Sequence, residues 1–116
     1  MARIAVIGVG GWGKNHLRVL YEFNCLKAFC DIDPLKVKIY EDRYHVKGYT
    51  SIEQMFNEVA LDAVTICVPT SLHYQIAQKA LLRGLHIFVE KPLTYSSQDG
   101  EKLVELAKEL RKILAV

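Results

Sequence analysis

A glycine-rich run near the N-terminus has the spacing of a turn that binds the phosphates of a dinucleotide. The run consists of Gly8, Val9, Gly10, Gly11, Trp12 and Gly13. In the pattern G-x-G-x-x-G, the first glycine permits a tight turn and the second lets the backbone approach a pyrophosphate. The third lets a helix pack closely on the preceding strand. Because the N-terminus of that helix offers free N–H groups to an anion, the run predicts a dinucleotide-binding turn.

An acidic residue follows this turn at the distance that such a site needs. The pattern places a carboxylate at the end of the second strand, roughly 20 residues further on. Asp31 lies there, 18 residues after Gly13. Its carboxylate can accept hydrogen bonds from the adenosine ribose and would repel a 2′-phosphate, so NAD is favoured over NADP. The alternative is that Asp31 is only a turn residue before Asp33 and Pro34.

Polar residues also follow the predicted fourth strand, where a parallel sheet of this kind binds ligands. They are Pro69, Thr70, Ser71 and His73. Thr70 and Ser71 can instead cap the next helix, and His73 can instead be a surface residue of that helix. His16, just past the start of the first helix, suits a packing or hydrogen-bonding role as well as a cofactor contact.

Two charged residues, Glu90 and Lys91, directly follow the predicted fifth strand. This edge of the sheet is where the nicotinamide half of a dinucleotide would lie. A lysine there can hydrogen-bond a substrate hydroxyl and assist removal of its proton during hydride transfer. Because an ammonium group cannot accept a proton, that role needs a neutral amine or a relay partner. The alternative is a solvated turn in which Pro92 ends the strand.

The elements that must position these residues alternate between strand and helix. The predicted strands are Ala2–Ile7, Leu26–Cys30, Val46–Tyr49, Ala63–Val68, Leu85–Val89 and Ile113–Val116. The predicted helices run from about Trp12 to Phe23, from Pro34 to Tyr44, through Ile52, Met55, Phe56 and Val59, from about Ser71 to Arg83, and through Leu103, Leu106, Ala107 and Leu110. Asp33, Ser51 and Ser97 are the predicted N-caps.

This alternation predicts one α/β domain over residues 1–116. Successive β and α units imply a parallel sheet with right-handed crossovers. Six strands fit the doubly wound Rossmann order 3-2-1-4-5-6, with helices on both faces in a three-layer α/β/α arrangement.

Composition limits the classes of partner. The chain has 116 residues and a net charge of +2, and no basic stripe with interleaved aromatics, so we expect no nucleic-acid partner. No apolar stretch approaches the roughly 20 residues that cross a bilayer, so we expect no membrane partner.

The N-terminus lacks a signal-peptide layout. Cys25, Cys30 and Cys67 lack metal-ligand spacing, and Cys30 and Cys67 are predicted to be buried. We therefore expect no metal and a cytoplasmic location.

Taken together, these motifs resemble the Gfo/Idh/MocA family of NAD(P)-dependent oxidoreductases. The resemblance is carried by Gly8–Gly13, Asp31, Pro69–His73 and Glu90–Pro92. It covers the whole chain but only the N-terminal half of a family member. The family implies an NAD(P)-binding Rossmann domain, with hydride transfer to or from a carbon that bears a sugar hydroxyl.

The resemblance also implies a role for each motif. The glycines of the run would hold the pyrophosphate with Trp12 beside it, and Asp31 would contact the adenosine ribose. Thr70, Ser71 and His73 would line the cofactor cleft.

At the other end of the cleft, Glu90 and Lys91 would lie near the nicotinamide, with Lys91 as the catalytic lysine. The family often has a cis peptide bond before the following proline, so Lys91–Pro92 is predicted to be cis. Residues 11–16 look most like family members that act on nucleotide-linked amino sugars.

Complete family members continue into a second domain that supplies most of the sugar pocket and the oligomer interface. A sugar or nucleotide-sugar substrate and a homo-oligomer are therefore expected of a full-length protein, and we expect this chain alone to be inactive. The alternative is a stand-alone module that binds a dinucleotide without turnover.

Overall fold

A six-stranded parallel sheet forms the middle layer of the protein. The computed structural model describes residues 2–116. The strands are β1 (Ile4–Ile7), β2 (Leu26–Cys30), β3 (Lys47–Tyr49), β4 (Ala63–Ile66), β5 (His86–Val89) and β6 (Leu114–Ala115). Their order is β3-β2-β1-β4-β5-β6 and every neighbouring pair is parallel. The predicted fold class and strand order are confirmed.

Within residues 2–116, five helices connect the strands. They are α1 (Gly13–Glu22), α2 (Pro34–Tyr44), α3 (Ile52–Glu58), α4 (His73–Leu82) and α5 (Ser97–Leu110), with a short 3₁₀ turn, Thr70–Leu72, before α4. Two predicted caps are confirmed, because Asp33 accepts a hydrogen bond from the Leu35 N–H and Ser51 accepts one from the Gln54 N–H. Among residues 2–116, no helix is both long and apolar enough to cross a membrane.

The predicted cap of α5 is wrong by one residue. Ser96, rather than Ser97, has the extended backbone of an N-cap, with φ −101° and ψ 130°. Its Oγ accepts a hydrogen bond from the Asp99 N–H at 3.3 Å, three residues on. Ser97 is therefore the first residue inside the helix.

Two other local predictions are wrong. β4 ends at Ile66, where its pairing with β1 also ends, so Cys67 belongs to the following loop. Within the described chain, no side chain caps the 3₁₀ turn or α4, which removes the capping role considered for Thr70 and Ser71. Leu110 lies in α5 as predicted and ends it, with 37% of its surface exposed.

The sheet separates two apolar layers. Val6 and Phe29 face α1 and α2, where they pack with Leu17 and Val37. The alternate side chains of the same strands face α3, α4 and α5 and form the larger cluster. Because the central strands are covered on both faces, they are apolar except for the buried Thr65 of β4, and the three-layer prediction is confirmed.

Candidate functional site

The carboxyl ends of the central strands open into one cavity of about 810 Å³. This size is in the range of small-molecule sites. Ten of the twelve residues that the sequence predicts for the site line it: Gly8, Gly10, Gly11, Trp12, Asp31, Pro69, Thr70, His73, Glu90 and Lys91. Of the other two, Gly13 is buried and Ser71 is exposed.

A second concavity of about 1010 Å³ lies away from the strand ends, along α5 and the neighbouring face of α4. Its walls include Tyr74, Gln78, Leu106 and Glu109. Among residues 2–116, its lining contains none of the predicted site residues. The smaller cavity is therefore the candidate site, because only there do the chemically informative side chains converge.

Two glycines of the turn after β1, Gly8 and Gly13, could not be replaced without movement of the backbone. Gly8 has φ +91°, and a Cβ there would lie 2.8 Å from the Cys67 carbonyl oxygen. A Cβ on Gly13 would lie 1.8 Å from the carbonyl oxygen of Gly8. At Gly10 the nearest atom would be Lys36 Nζ at 3.1 Å, the mobile end of a long side chain. Gly8 and Gly13 thus close the turn, whereas Gly10 keeps its outer surface bare.

Asp31 is held against this turn by two backbone hydrogen bonds. Oδ2 accepts from the Val9 N–H at 2.9 Å and Oδ1 accepts from the Asp33 N–H at 2.9 Å. The second bond is the local turn contact that the alternative interpretation expects. The bond from Val9 holds the carboxylate against the glycine turn, at the wall of the cavity. A residue that binds the ribose of a dinucleotide would have to lie there.

Lys36 is a cavity residue that the sequence interpretation missed. It lies in the first turn of α2, and its ammonium group reaches the outer surface of Gly10. A basic residue three positions after the Asp33 cap is a sequence feature that could have revealed it. Its positive charge at the glycine turn suits a ligand phosphate.

At the other end of the cavity, α1 and the end of β5 are joined by a side-chain pair. His16 Nε2 lies 2.6 Å from Glu90 Oε1, a distance at which the ring N–H donates to the carboxylate. The His16 ring also packs against Phe88, with centroids 5.7 Å apart. The structure thus gives His16 the packing and hydrogen-bonding role that the sequence left open.

Cys67 lies beside this pair. Its thiol sulfur and the ligand atoms of His16 and Glu90 are all within 4.8 Å of one another. Burial, together with the smaller effect of the Glu90 charge, raises the pKa of the Cys67 thiol to about 12. Cys67 is half-buried, whereas Cys30 is buried as predicted.

His73 is buried, with 1% of its surface exposed, so the surface alternative is wrong. Nε2 lies 2.7 Å from the Val68 carbonyl oxygen and Nδ1 lies 2.9 Å from that of Pro92. A neutral ring donates one of these bonds, whereas a protonated ring donates both. His73 therefore joins the loops after β4 and β5, and its contact with a cofactor stays a prediction.

Lys91 is exposed at the cavity wall, next to Glu90. The Lys91–Pro92 peptide bond is cis, as predicted. The end of β5 thus presents a carboxylate held by His16 and an ammonium group that is free to reach into the cavity.

The fold and the cavity together define a Rossmann-type dinucleotide-binding domain. The sheet is doubly wound, a glycine turn follows β1, an acid follows β2, and the cavity lies where the strand order reverses. A family model described as "Oxidoreductase family, NAD-binding Rossmann fold" matches residues 2–116. The chain belongs to this family, Gfo/Idh/MocA.

Relatives with known or assigned activities match almost all of the chain. UDP-N-acetylglucosamine 3-dehydrogenase of Acidithiobacillus ferrooxidans is 30% identical over 114 residues, which are 98% of this chain and 36% of that protein. Inositol 2-dehydrogenase of Corynebacterium glutamicum is 33% identical over 114 residues, 95% of this chain and 34% of that protein.

A solved structure agrees with this assignment. The WlbA dehydrogenase from Chromobacterium violaceum, in complex with NADH and UDP-GlcNAcA, superposes with a TM-score of 0.90 at 29% identity. The match covers 97% of this chain and 34% of that one. The chain therefore spans about a third of the length of its relatives.

Proposed function

We propose that the chain binds NAD(H) in the cavity at the carboxyl edge of its sheet, as the cofactor domain of an oxidoreductase. In the whole protein, hydride would pass between the nicotinamide and a sugar or nucleotide-sugar carbon that bears a hydroxyl. The observation that carries this proposal is the convergence of the glycine turn, Asp31, Glu90 and Lys91 on one cavity.

The adenosine and phosphate half of the ligand would lie over the turn after β1. The backbone of Gly10 and Gly11 and the N-terminus of α1 would face the pyrophosphate, with Trp12 beside it. Gly8 and Gly13 would hold the turn in shape, since their N–H groups donate to the carbonyl oxygens of Cys30 and Gly10 at 2.8 Å. The Lys36 ammonium group adds positive charge there. Asp31 would accept hydrogen bonds from the ribose hydroxyls and would repel a 2′-phosphate, which favours NAD over NADP.

The nicotinamide half would lie toward the ends of β4 and β5. Pro69, Thr70, Ser71 and His73 would border it on one side, and Glu90 and Lys91 on the other.

The cofactor supplies the redox chemistry by accepting or giving hydride, and the protein orients the reactants. Lys91 would hydrogen-bond the oxygen of the substrate hydroxyl, whose proton must leave as hydride leaves the carbon. As an ammonium group it orients that oxygen, and only as a neutral amine can it accept the proton. Glu90, next to it in the chain, is the nearest candidate for a relay.

The substrate class rests on the relatives. A UDP-N-acetylglucosamine dehydrogenase and an inositol dehydrogenase both match over almost the whole chain. A second candidate function is dinucleotide binding without turnover, which would need only the cavity described above. We further propose a cytoplasmic location, where the three free thiols would stay reduced. A homo-oligomer is also proposed, since β6 is an edge strand that can pair with another chain.

Fluorescence of Trp12, the single tryptophan, tests cofactor binding. Trp12 lines the cavity and is 71% exposed, so a bound dinucleotide should change its emission. We expect NADH to bind at least about tenfold more tightly than NADPH, because one charge-assisted hydrogen bond is worth roughly 1.5–3 kcal/mol.

Two variants at neighbouring acids make this test specific. Asp31→Asn should reduce the preference for NADH, because the 2′-phosphate no longer meets a negative charge. Asp33→Asn is the matched control and should leave the preference unchanged, since asparagine caps helices as well as aspartate does. NADPH binding as tight as NADH in the unmodified chain would refute the role of Asp31, and unchanged emission with both would refute the function.

A further inference from the structure

Three side chains of types that can ligate a metal ion meet beside the cavity, and two of them, Cys67 and Glu90, line it. His16 comes from α1, Cys67 from the loop after β4, and Glu90 from the end of β5. Their ligand atoms all lie within 4.8 Å of one another, and each residue is half-buried. No motif in the sequence indicates this cluster, because the three residues are 51 and 23 positions apart and lack any familiar metal-ligand spacing.

The donor set has the chemistry that zinc prefers. A thiolate sulfur, an imidazole nitrogen and a carboxylate oxygen are the three ligand types that bind Zn²⁺ in proteins. Mg²⁺ and Ca²⁺ prefer oxygen ligands alone, so sulfur and nitrogen select against them. A thiolate and a carboxylate also balance the two charges of the ion, which matters at a half-buried position.

The three ligand atoms lie near enough together for one ion to contact them all after side-chain movement. Bonds of roughly 2.0–2.3 Å place neighbouring ligand atoms of a tetrahedral zinc about 3.3–3.6 Å apart. His16 Nε2 and Glu90 Oε1 are 2.6 Å apart and would have to separate to admit the ion. The Cys67 sulfur lies within 4.8 Å of both of the other ligand atoms.

We propose that His16, Cys67 and Glu90 form a Zn²⁺-binding site whose fourth coordination position opens into the cavity. The ion would take the place of the proton between Nε2 and Oε1, and the neutral imidazole bound to it would carry its single proton on Nδ1 after exchange through solvent. The Cys67 thiol would lose its proton to solvent as the zinc–sulfur bond forms. No oxidant or reductant is needed.

The site would also regulate cofactor binding, a consequence that rests on the proposed function. Cys67 and Glu90 line the cavity at the end where the nicotinamide would lie. An ion held there occupies that space and withdraws Glu90 from the ligand. Zn²⁺ should therefore weaken NADH binding, and NADH should weaken Zn²⁺ binding by the same factor.

Co²⁺ is the probe that tests the site, since its electronic spectrum reports both thiolate ligation and tetrahedral geometry. We expect the 116-residue chain to bind one Co²⁺ with a thiolate-to-cobalt charge-transfer band, and we expect Zn²⁺ to displace it. Cys67→Ser should abolish the band. His16→Asn keeps the thiol and should weaken Co²⁺ binding at least tenfold. Cys25→Ser, at a cysteine outside the cluster, is the control and should change neither.

Several outcomes would overturn the site. They are a band that survives Cys67→Ser, a band lost in Cys25→Ser, or the absence of any stoichiometric Co²⁺ binding at micromolar concentration. Circular dichroism of each variant separates a lost ligand from a lost fold.

Titration of NADH with and without Zn²⁺ tests the regulatory effect separately. Equal NADH affinity in both conditions would overturn the regulation. A chain that binds Co²⁺ as expected and never binds NADH would refute the proposed function and leave the metal site intact.

Discussion

Within the turn after β1, neighbouring glycines have different physical requirements. Gly13 is packed against the carbonyl of Gly8, so even a methyl group would overlap it. Gly10 faces the cavity, where a methyl group would have only the end of the Lys36 side chain within 4 Å. Gly13 is therefore needed by the fold, whereas the role proposed for Gly10 is to allow the close approach of a ligand.

This difference predicts opposite results for two alanine substitutions. Gly13→Ala should lower the free energy of unfolding by about 3 kcal/mol or more, because the overlap involves backbone and cannot relax by side-chain rotation. Gly10→Ala should change it by no more than about 0.5 kcal/mol, yet should weaken NADH binding at least tenfold. Urea denaturation and Trp12 fluorescence measure the two quantities. Equal destabilisation by both substitutions would contradict this assignment.

At the level of elements, helix starts and strand starts are fixed by a few polar contacts. Ser96 caps α5 through the Asp99 N–H. The starts of β1 and β4 are joined by Arg3 and Asp62, with a guanidinium–carboxylate distance of 3.1 Å and a further bond from the Arg3 backbone N–H. Each contact leads to a separate prediction about the stability of the fold.

The cap of α5 can be tested with adjacent serines. Ser96→Ala should lower the free energy of unfolding by about 1 kcal/mol, because the Asp99 N–H loses its acceptor. Ser97→Ala is the matched control and should stay within about 0.5 kcal/mol, since that exposed side chain does not cap the helix. Chemical denaturation of both variants decides the question, and a larger effect at Ser97 would restore the sequence-based prediction.

The Arg3–Asp62 contact should make part of the stability depend on pH. Hydrogen bonds from the Arg3 side chain and backbone lower the pKa of Asp62 below its ordinary value of 3.8. The ionised carboxylate therefore stabilises the fold above pH 3.8, and this contribution is lost as the pH falls through the lowered folded-state pKa.

Thermal unfolding of Asp62→Asn measures this contribution. The variant should melt below the unmodified protein near neutral pH, and the difference should shrink as the pH falls below 3.8. Lys38→Ala, which removes an exposed i,i+4 pair with Asp42 on α2, controls for a general loss of surface charge. A difference that stays constant down to acid pH would exclude the ion pair as its cause.

For the molecule as a whole, the chain contains the cavity proposed for the cofactor but spans about a third of the length of its relatives. Lys91 is exposed at the cavity wall, and within residues 2–116 no other element covers it. Under the proposed function, a sugar would therefore meet the cofactor and Lys91 without a pocket to orient its hydroxyl.

We accordingly expect this chain to bind NADH and yet to show no turnover of UDP-N-acetylglucosamine with NAD. Orientation of reactants contributes much of an enzyme's rate, so its loss should leave activity undetectable. The appearance of NADH absorbance in a purified sample measures this, with Lys91→Ala as the control for a contaminating dehydrogenase. If turnover is seen and disappears in Lys91→Ala, this chain alone is sufficient for catalysis and the expectation is wrong.

The layers, the strand order and most of the site follow from the amino-acid sequence alone. Apolar strands alternating with amphipathic helices leave few topologies for a chain of this length. The glycine turn and Asp31 could be recognised because their spacing follows from the length of one β-α-β unit. The Asp33 and Ser51 caps are local contacts between residues two or three positions apart, so their residue types suffice to predict them.

The meeting of distant side chains, in contrast, depends on packing in three dimensions. His16 and Glu90 are 74 residues apart and touch only because α1 packs beside β5. His73 has the sequence context of a surface helix residue, yet the loop after β5 covers it. Lys36 reaches Gly10 because α2 returns toward the turn after β1. Such contacts depend on how loops and helix ends pack against one another, and no periodicity or spacing within a single segment encodes that packing.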